Sequence, residues 1–378
     1  MLNKQRLICF YLPQYHPIKE NDEWWGKGFT EWINVAKSKP RFKSHYQPHI
    51  PADLSFYDLR LEETRVQQAE LARSYGISGF CYYHYWFNGK MLLERPLNDF
   101  LQSGTPDFPF CLCWANENWT RAWDGLDREV LIQQNYTEED SLAHIKWFLN
   151  CFRDSRYILV NGKPLLLIFR IDNIPNIEQM MELWRNEAIK NGFDGLYICA
   201  MKTGFVDITE EEMSQMGFDA LVDFHPNRND FPSPRTFKSI VYETSRKYFP
   251  NKLYQWLKHN VESNKIVNYH QYVSKLKQKR WPTDYRLFPC VMPSWDNSAR
   301  RKAATIIQNN DPEIYGDWLN NSIESVSQYS PDEQLVFINA WNEWAEGCHL
   351  EPDQKFGHEF LQITKKCIES VSTSSKND

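Results

Sequence analysis

Eight short apolar runs recur along the chain, at Leu7–Leu12, Ile77–Tyr83, Phe110–Trp114, Leu165–Phe169, Leu196–Met201, Ala220–Phe224, Phe288–Met292 and Leu335–Ala340. Runs of this length that are apolar on both faces are the mark of strands buried on both sides, as in a parallel sheet covered by crossover helices. Segments of helical period stand between them, among them Leu61–Ser74, Thr137–Phe152, Ile177–Lys190, His270–Lys279, Ile314–Ser327 and Phe356–Glu369. Strand followed by helix, eight times at about 47 residues per unit, predicts an α/β fold consisting of a single (β/α)8 TIM barrel with long βα loops. Gly76 and Gly192 each fall a few residues ahead of a strand, where a helix-ending left-handed residue belongs. A doubly wound sheet is disfavoured: the nearest glycine fingerprint, Gly26-Lys27-Gly28-Phe29-Thr30-Glu31, has Glu in place of the third Gly and no strand directly before it. The expected organisation is one catalytic barrel over residues 1–371 and a frayed, Ser-rich tail over 372–378. Two βα loops, Tyr15–Asp58 and His225–Asn264, are long enough to serve as lids or partner surfaces.

In a barrel, chemistry collects just beyond the carboxyl ends of the strands. Those positions here are polar and aromatic: Pro13-Gln14-Tyr15-His16, His84-Tyr85-Trp86, Asn116-Glu117-Asn118-Trp119, Arg170 with Asp172, Lys202, His225, Ser294-Trp295-Asp296-Asn297 and Trp341-Asn342-Glu343-Trp344-Ala345-Glu346-Gly347. The last of these is the strongest signal. Two carboxylates three residues apart, interleaved with tryptophan, fit the acid and the base or nucleophile that glycosidic cleavage needs, and tryptophan walls raise an acid's pKa by desolvation. Glu117 is a third candidate carboxylate. Glu23, Trp24, Trp25, Phe29, Thr30, Glu31 and Trp32 form a further acidic and aromatic cluster, read as a subsite or lid.

Composition narrows the partner. The chain holds 15 Trp, 19 Tyr and 23 Phe, and many of these rings sit beside hydrogen-bonding groups, the pairing that takes a sugar's C–H face and its hydroxyls. A net charge of −6 excludes bulk electrostatic binding of nucleic acid. No stretch approaches the ~20 apolar residues of a membrane span, and the apolar run at Leu7–Leu12 lacks the features of a secretory signal. The 9 cysteines are scattered, several inside strand-like runs, and read as reduced core residues of a cytoplasmic protein; Cys111 and Cys113 pack rather than bind. His16, His84 and His225 belong to no HExxH-like cluster, so neither metal nor cofactor is expected.

The motifs Phe10-Tyr11-Leu12-Pro13-Gln14-Tyr15-His16, Trp25-Gly26-Lys27-Gly28-Phe29-Thr30-Glu31-Trp32, Gly79-Phe80-Cys81-Tyr82-Tyr83-His84-Tyr85-Trp86, Trp114-Ala115-Asn116-Glu117-Asn118-Trp119 and Trp341-Asn342-Glu343-Trp344-Ala345-Glu346-Gly347 together resemble the WbsX-type proteins, a group similar to glycoside hydrolase family 99. The resemblance runs from about residue 6 to about residue 365. It implies the same barrel and a carbohydrate substrate. WbsX-type proteins are described as glycosyltransferases of surface-polysaccharide or O-antigen biosynthesis, and family 99 consists of retaining endo-acting α-mannosidases in which the substrate's own 2-hydroxyl attacks the anomeric carbon. Carried over by motif, Glu343 is the base towards that hydroxyl and Glu346 the acid towards the leaving group. Outside the final motif the likeness to family 99 is weak, so mannose specificity does not carry over.

The expectation is therefore an enzyme that cleaves or transfers glycosyl units of a cell-surface polysaccharide or related glycan, with Glu343 and Glu346 catalytic. Substrate contacts are expected from Tyr11, Gln14, His16, Trp25, Tyr83, His84, Trp86, Trp114, Asn116, Glu117, Asn118, Trp295, Asp296, Trp341, Asn342 and Trp344. Two alternatives stand beside it: a nucleotide-sugar-dependent glycosyltransferase of O-antigen or lipopolysaccharide biosynthesis, and a glycan-binding barrel without turnover. The partners would be an oligosaccharide or polysaccharide and, by analogy with the family, the surface-polysaccharide assembly machinery.

Overall fold

A computed structural model describes residues 5–121, 126–206, 208–232 and 264–374. Eight parallel strands close on themselves: β1 Arg6–Tyr11, β2 Gly79–Phe87, β3 Phe110–Trp114, β4 Lys163–Ile168, β5 Tyr197–Lys202, β6 Ala220–Asp223, β7 Leu287–Val291 and β8 Leu335–Ile338. Each pairs with its neighbours in sequence, and β1 closes the ring by pairing with both β2 and β8, with Cys9 opposite Phe80 on one side and Ile338 on the other. β3, β6, β7 and β8 are buried at every position, so their sequences run apolar without alternation. All eight expected strands are present, with ends displaced by a few residues at most except in β2.

β2 runs on to Phe87 because its end leaves the barrel as a hairpin, pairing Tyr85 with Leu92 and Phe87 with Lys90. The turn is Asn88-Gly89, both at positive φ, the pair that a two-residue hairpin of right-handed twist requires. The six expected helices are present within a few residues, the third of them, Ile177–Lys190, at the expected bounds. Local chemistry fixes their starts. Thr137 caps Glu138–Phe152 by accepting from the Asp140 amide, and Asp311 caps Pro312–Val326 by accepting from the amides of Glu313 and Ile314. Four further helices lie at Lys19–Trp25, Glu31–Lys37, Arg95–Ser103 and Glu210–Gln215. The first two give structure to the long loop after β1.

The final helix continues to Ser374, into the segment expected as a tail, and 375–378 lie outside the described residues. Most of the loop expected at His225–Asn264 does too, since 233–263 are not described. All nine cysteines are buried and unbonded. No described helix is long and apolar enough to cross a membrane.

Near the carboxyl end of the barrel, inward side chains form an aromatic layer. Phe10 stacks on Tyr83 at 5.5 Å and meets Phe224 edge-on at 5.3 Å, and Phe169 meets both Tyr83 (6.2 Å) and Phe224 (5.6 Å). Tyr83, Phe169 and Phe224 also face the cavity above, so this layer is at once the top of the barrel core and the floor of the site.

Candidate active site

A cavity of about 680 Å³ opens over the carboxyl ends of the strands. Every strand contributes to its wall, from Leu12 beyond β1 round to Asn339 beyond β8.

The segment after β8 delivers Glu343 and Glu346. Asn342 and Glu343 pair antiparallel with His349 and Cys348, and Trp344–Glu346 makes a single 3-10 turn between them. Gly347 closes that turn at φ 55°, and a Cβ there would stand 3.0 Å from the Asp296 Cβ, so both conformation and space call for glycine. The Asn342 carboxamide accepts from the Leu12 amide (2.7 Å) and donates to the Leu12 carbonyl (3.0 Å), tying the end of β8 to the end of β1. Below, Trp344 donates from its backbone N–H to the Tyr15 hydroxyl (3.0 Å) and from its indole to Glu351 (2.6 Å). Glu351 also accepts from Tyr57 and Gln68, and burial, opposed by these hydrogen bonds, pushes its carboxyl up to about 7.

Arg300, from the loop after β7, lies between three carboxylates. Its Nη2 donates to Glu343 Oε1 at 2.7 Å and its Nε to Glu31 Oε2 at 3.0 Å, while Nη1 stands 3.2 Å from Glu346 Oε1. The Glu31 side chain is fully enclosed and that of Glu343 is 8% exposed, whereas Glu346 is the most open at 21%. Burial drives Glu343 up to about 8; Arg300 opposes the shift, and Glu346 and Glu31 add to it. Burial also raises Glu346, against Arg300 and Arg301 and with Glu31 reinforcing. Glu343 and Glu346 are both raised and coupled through Arg300, so the pair holds on to a proton towards neutrality.

Asp296 fixes the loop that carries Arg300. Its Oδ2 contacts His45 Nε2 (2.6 Å) and accepts from Gln47 (2.8 Å), while its Oδ1 accepts from the Ser298 amide (2.9 Å). His45 Nδ1 in turn accepts from the Arg41 amide, so Nε2 carries the hydrogen towards Asp296. Arg41 adds a clamp of its own, donating to the backbone carbonyls of Ser298, Arg301 and Lys302. The loop after β1 thus holds the loop after β7.

Of the residues expected at the site, Gln14, Trp25, Tyr83, Glu117, Asn118, Trp295, Glu343 and Glu346 line the cavity. Glu117 is ion-paired to Arg170 Nη1 at 2.7 Å. Asn116 is fully buried and bridges to the backbone of Arg170, accepting from its N–H and donating to its carbonyl, both at 2.7 Å. Tyr11, His16, His84, Trp86, Trp114, Trp341 and Trp344 are buried behind the wall and do not line it. Strand alternation explains two of them: Tyr83 and Tyr85 of β2 face the cavity, so His84 and Trp86 face the helix Glu138–Phe152. There His144 stacks on Trp86 at 4.5 Å and His84 on Trp147 at 4.3 Å, with Trp114 edge-on to His144. Burial holds the His84 imidazole down at about 3 and that of His16 at about 4. Tyr11 donates to Gln68, Trp341 packs on Phe80, and Trp344 stacks on His349.

Arg300 escaped the sequence reading. A signal was available in the Arg300-Arg301 pair beyond Ser294-Trp295-Asp296-Asn297, since a buried acidic pair needs a counter-charge. Glu31 was legible only as part of an acidic and aromatic cluster.

The architecture is that of a (β/α)8 barrel with an acidic and aromatic cavity at its carboxyl face. The family described as Glycosyltransferase WbsX matches residues 7–364, and the chain belongs to that family. It is 40% identical over 364 residues to a protein of Xanthomonas campestris pv. campestris strain B100 named Uncharacterized protein WxcX, and equally to its counterpart in a second strain. That alignment takes in 96% of this chain and 49% of the relative, so the chain spans about half the length of the relatives it matches. Among solved structures, the GH99 endo-alpha-mannosidase of Bacteroides thetaiotaomicron in complex with bis-tris-propane superposes with a TM-score of 0.57, at 13% identity over 100% of both chains. A glycoside hydrolase-like protein gives 0.59 at 14% identity, over 97% of this chain and 95% of the other. At these identities the likeness is one of fold.

Proposed function

We propose that the chain is an enzyme that cleaves or transfers glycosyl units of a cell-surface polysaccharide or related glycan, with Glu343 and Glu346 as its catalytic residues. The observation that carries this reading is the pair of glutamates held by one arginine in the wall of an aromatic-lined cavity. Trp25, Tyr83 and Trp295 offer faces for sugar rings, and Gln14, Asn118 and Glu117 offer hydroxyl partners.

In the first step Glu343 takes the proton of the substrate's 2-hydroxyl as that oxygen bonds to the anomeric carbon. Glu346 gives its proton to the departing oxygen as the glycosidic bond breaks. In the second step an acceptor hydroxyl, from water or a sugar, attacks the anomeric carbon and loses its proton to Glu346 as the bond from the anomeric carbon to the 2-oxygen breaks, and Glu343 returns its proton to that oxygen. With Glu343 raised to about 8, it acts as base only in the microstate in which it has given up its proton while Glu346 keeps one, so turnover should rise with pH as Glu343 ionises. Arg300 stays between them, so the exchange of charge from one glutamate to the other meets a fixed counter-charge.

The family's description favours the transferase branch, and Arg228 and Arg301 in the cavity wall are consistent with an anionic donor. Cytoplasmic placement, for which the unbonded buried cysteines speak, and work alongside surface-polysaccharide assembly belong to this proposal. The test is a mass-spectrometric time course on α-linked oligosaccharides, with and without nucleotide sugars, comparing wild type with Glu346→Gln. Shortened glycans from wild type alone support a glycosidase, and extended glycans that require a nucleotide sugar support a transferase. Binding without product in either arm overturns the catalytic reading.

A further inference from the structure

Away from the cavity, His49 from the loop after β1 meets His349 and Asp353 from the segment after β8. The three side chains are buried, and one donor atom from each lies within 4.8 Å of the others. His349 donates from Nδ1 to the Glu351 carbonyl at 2.9 Å, which leaves its Nε2 bare and turned to the cluster; this is the tautomer and orientation of a metal-binding imidazole. His49 Nδ1 lies 2.9 Å from that atom and Asp353 Oδ2 lies 3.9 Å from it. Tetrahedral zinc with bonds of about 2.0 Å holds its ligand atoms about 3.3 Å apart, a value these two separations bracket.

Charge points the same way. Asp353 Oδ1 accepts from the amides of Lys355 and Phe356, which leaves Oδ2 for the cluster. The Lys355 ammonium lies over the rings of Tyr46 (4.9 Å) and Phe356 (4.3 Å). The Tyr46 hydroxyl, whose ring stacks on His49, is also buried and lies beside Asp353. Among the described residues a second grouping of this kind, Asp223 with His225 and Asp230, has Lys202 and Lys279 directly on Asp223 at 3.0 and 2.6 Å.

We infer that His49, His349 and Asp353 bind one zinc ion, with the fourth position open to the Tyr46 hydroxyl or to water. Two neutral nitrogens and a carboxylate form a borderline donor set that suits zinc better than magnesium or calcium. On binding, the hydrogen on His49 Nδ1 moves to Nε2 of the same ring, so the imidazole stays neutral as it ligates. The ion would be structural. It would reinforce backbone contacts already joining the two segments, where Ala52 donates to the Pro352 carbonyl and Gln354 to the Ile50 carbonyl. Through the stack of Trp344 on His349 at 3.7 Å it would also steady the turn that carries Glu343 and Glu346. Three hundred residues separate His49 from His349, which is why no spacing motif announces the site.

The test is titration of the chelator-treated full chain with zinc chloride against a chromophoric zinc indicator, with magnesium chloride in parallel and the thermal midpoint followed in both. The expected result is one equivalent of zinc bound, a raised midpoint with zinc and none with magnesium. Binding should weaken more than about 100-fold in His49→Phe and in Asp353→Asn, beyond what loss of a supporting partner costs, and persist in Asp230→Asn. Absence of stoichiometric binding by the wild type, or binding that both ligand variants retain, overturns the inference. Should those variants fail to fold by circular dichroism, anomalous scattering at the zinc edge from wild-type crystals decides, and a peak anywhere but between His49 and His349 refutes it.

Discussion

Glu343→Gln should stabilise the protein, and do so more as pH rises. The carboxyl is almost wholly buried and titrates at about 8 in the folded chain, against an ordinary value of 4.5. A carboxyl raised on folding favours the folded state most below its unfolded value, and that contribution is lost as pH climbs through the folded one. At 1.36 kcal/mol per unit, the loss between pH 4.5 and 7 is on the order of 3 kcal/mol, and by pH 8 on the order of 4 kcal/mol. Glutamine has nearly the same shape and carries no charge, so the variant escapes this term, and Arg300 keeps Glu31 and Glu346 as partners. Urea denaturation of both proteins at pH 4.5, 6, 7 and 8, followed by circular dichroism, reads the difference as a gap in midpoint. The gap should be small at pH 4.5 and widen with each step. A gap independent of pH, or one that favours the wild type increasingly towards pH 8, would refute the assignment of a buried, proton-retaining Glu343.

Arg300→Met leaves three carboxylates without their shared cation and should cost about 3–5 kcal/mol in thermal or urea unfolding, with turnover lost in the oligosaccharide assay; Arg300→Lys should recover part of the stability. Gly347→Ala meets both a left-handed backbone and Asp296, so a loss of about 1–3 kcal/mol should accompany a drop in kcat larger than any change in KM. Trp25→Ala, at a partly exposed wall position, should raise KM about tenfold, the loss of one stacking contact, with little change in melting. His144→Phe, by contrast, should alter stability and leave the ratio of product types unchanged, because His144 packs between Trp86 and Phe148 behind the wall.

The barrel was legible because fully buried parallel strands write themselves as unbroken apolar runs, and all but β2 match their expected bounds closely. The hairpin after β2 went unread although Asn88-Gly89 announces it, since the apolar run masks the change from barrel strand to hairpin. The helix Arg95–Ser103 carried Pro96 near its start and Gly104 after its end, but it is too short for a periodic pattern to stand out. At the site, the glutamate pair could be read from one contiguous motif. Its partners could not, because Glu31 and Arg300 lie some 270 residues apart and meet only when the ring closes. The same holds for which aromatic rings face the substrate: in β2 that depends on strand parity, which places Tyr83 in the wall and His84 behind it.

Asn116 and Asn342 each use a carboxamide to imitate a peptide group, donating to one carbonyl and accepting from one amide on the strand next door. They extend the ladder by one rung at two seams of the rim, β3 to β4 and β8 to β1, just where the backbones begin to diverge into loops. The mouth is thereby held to a set circumference by side chains that belong to no loop's interior. The loops above these seams therefore diverge from a rim whose spacing is set below them, and the segment that carries the glutamate pair starts from one of those fixed points.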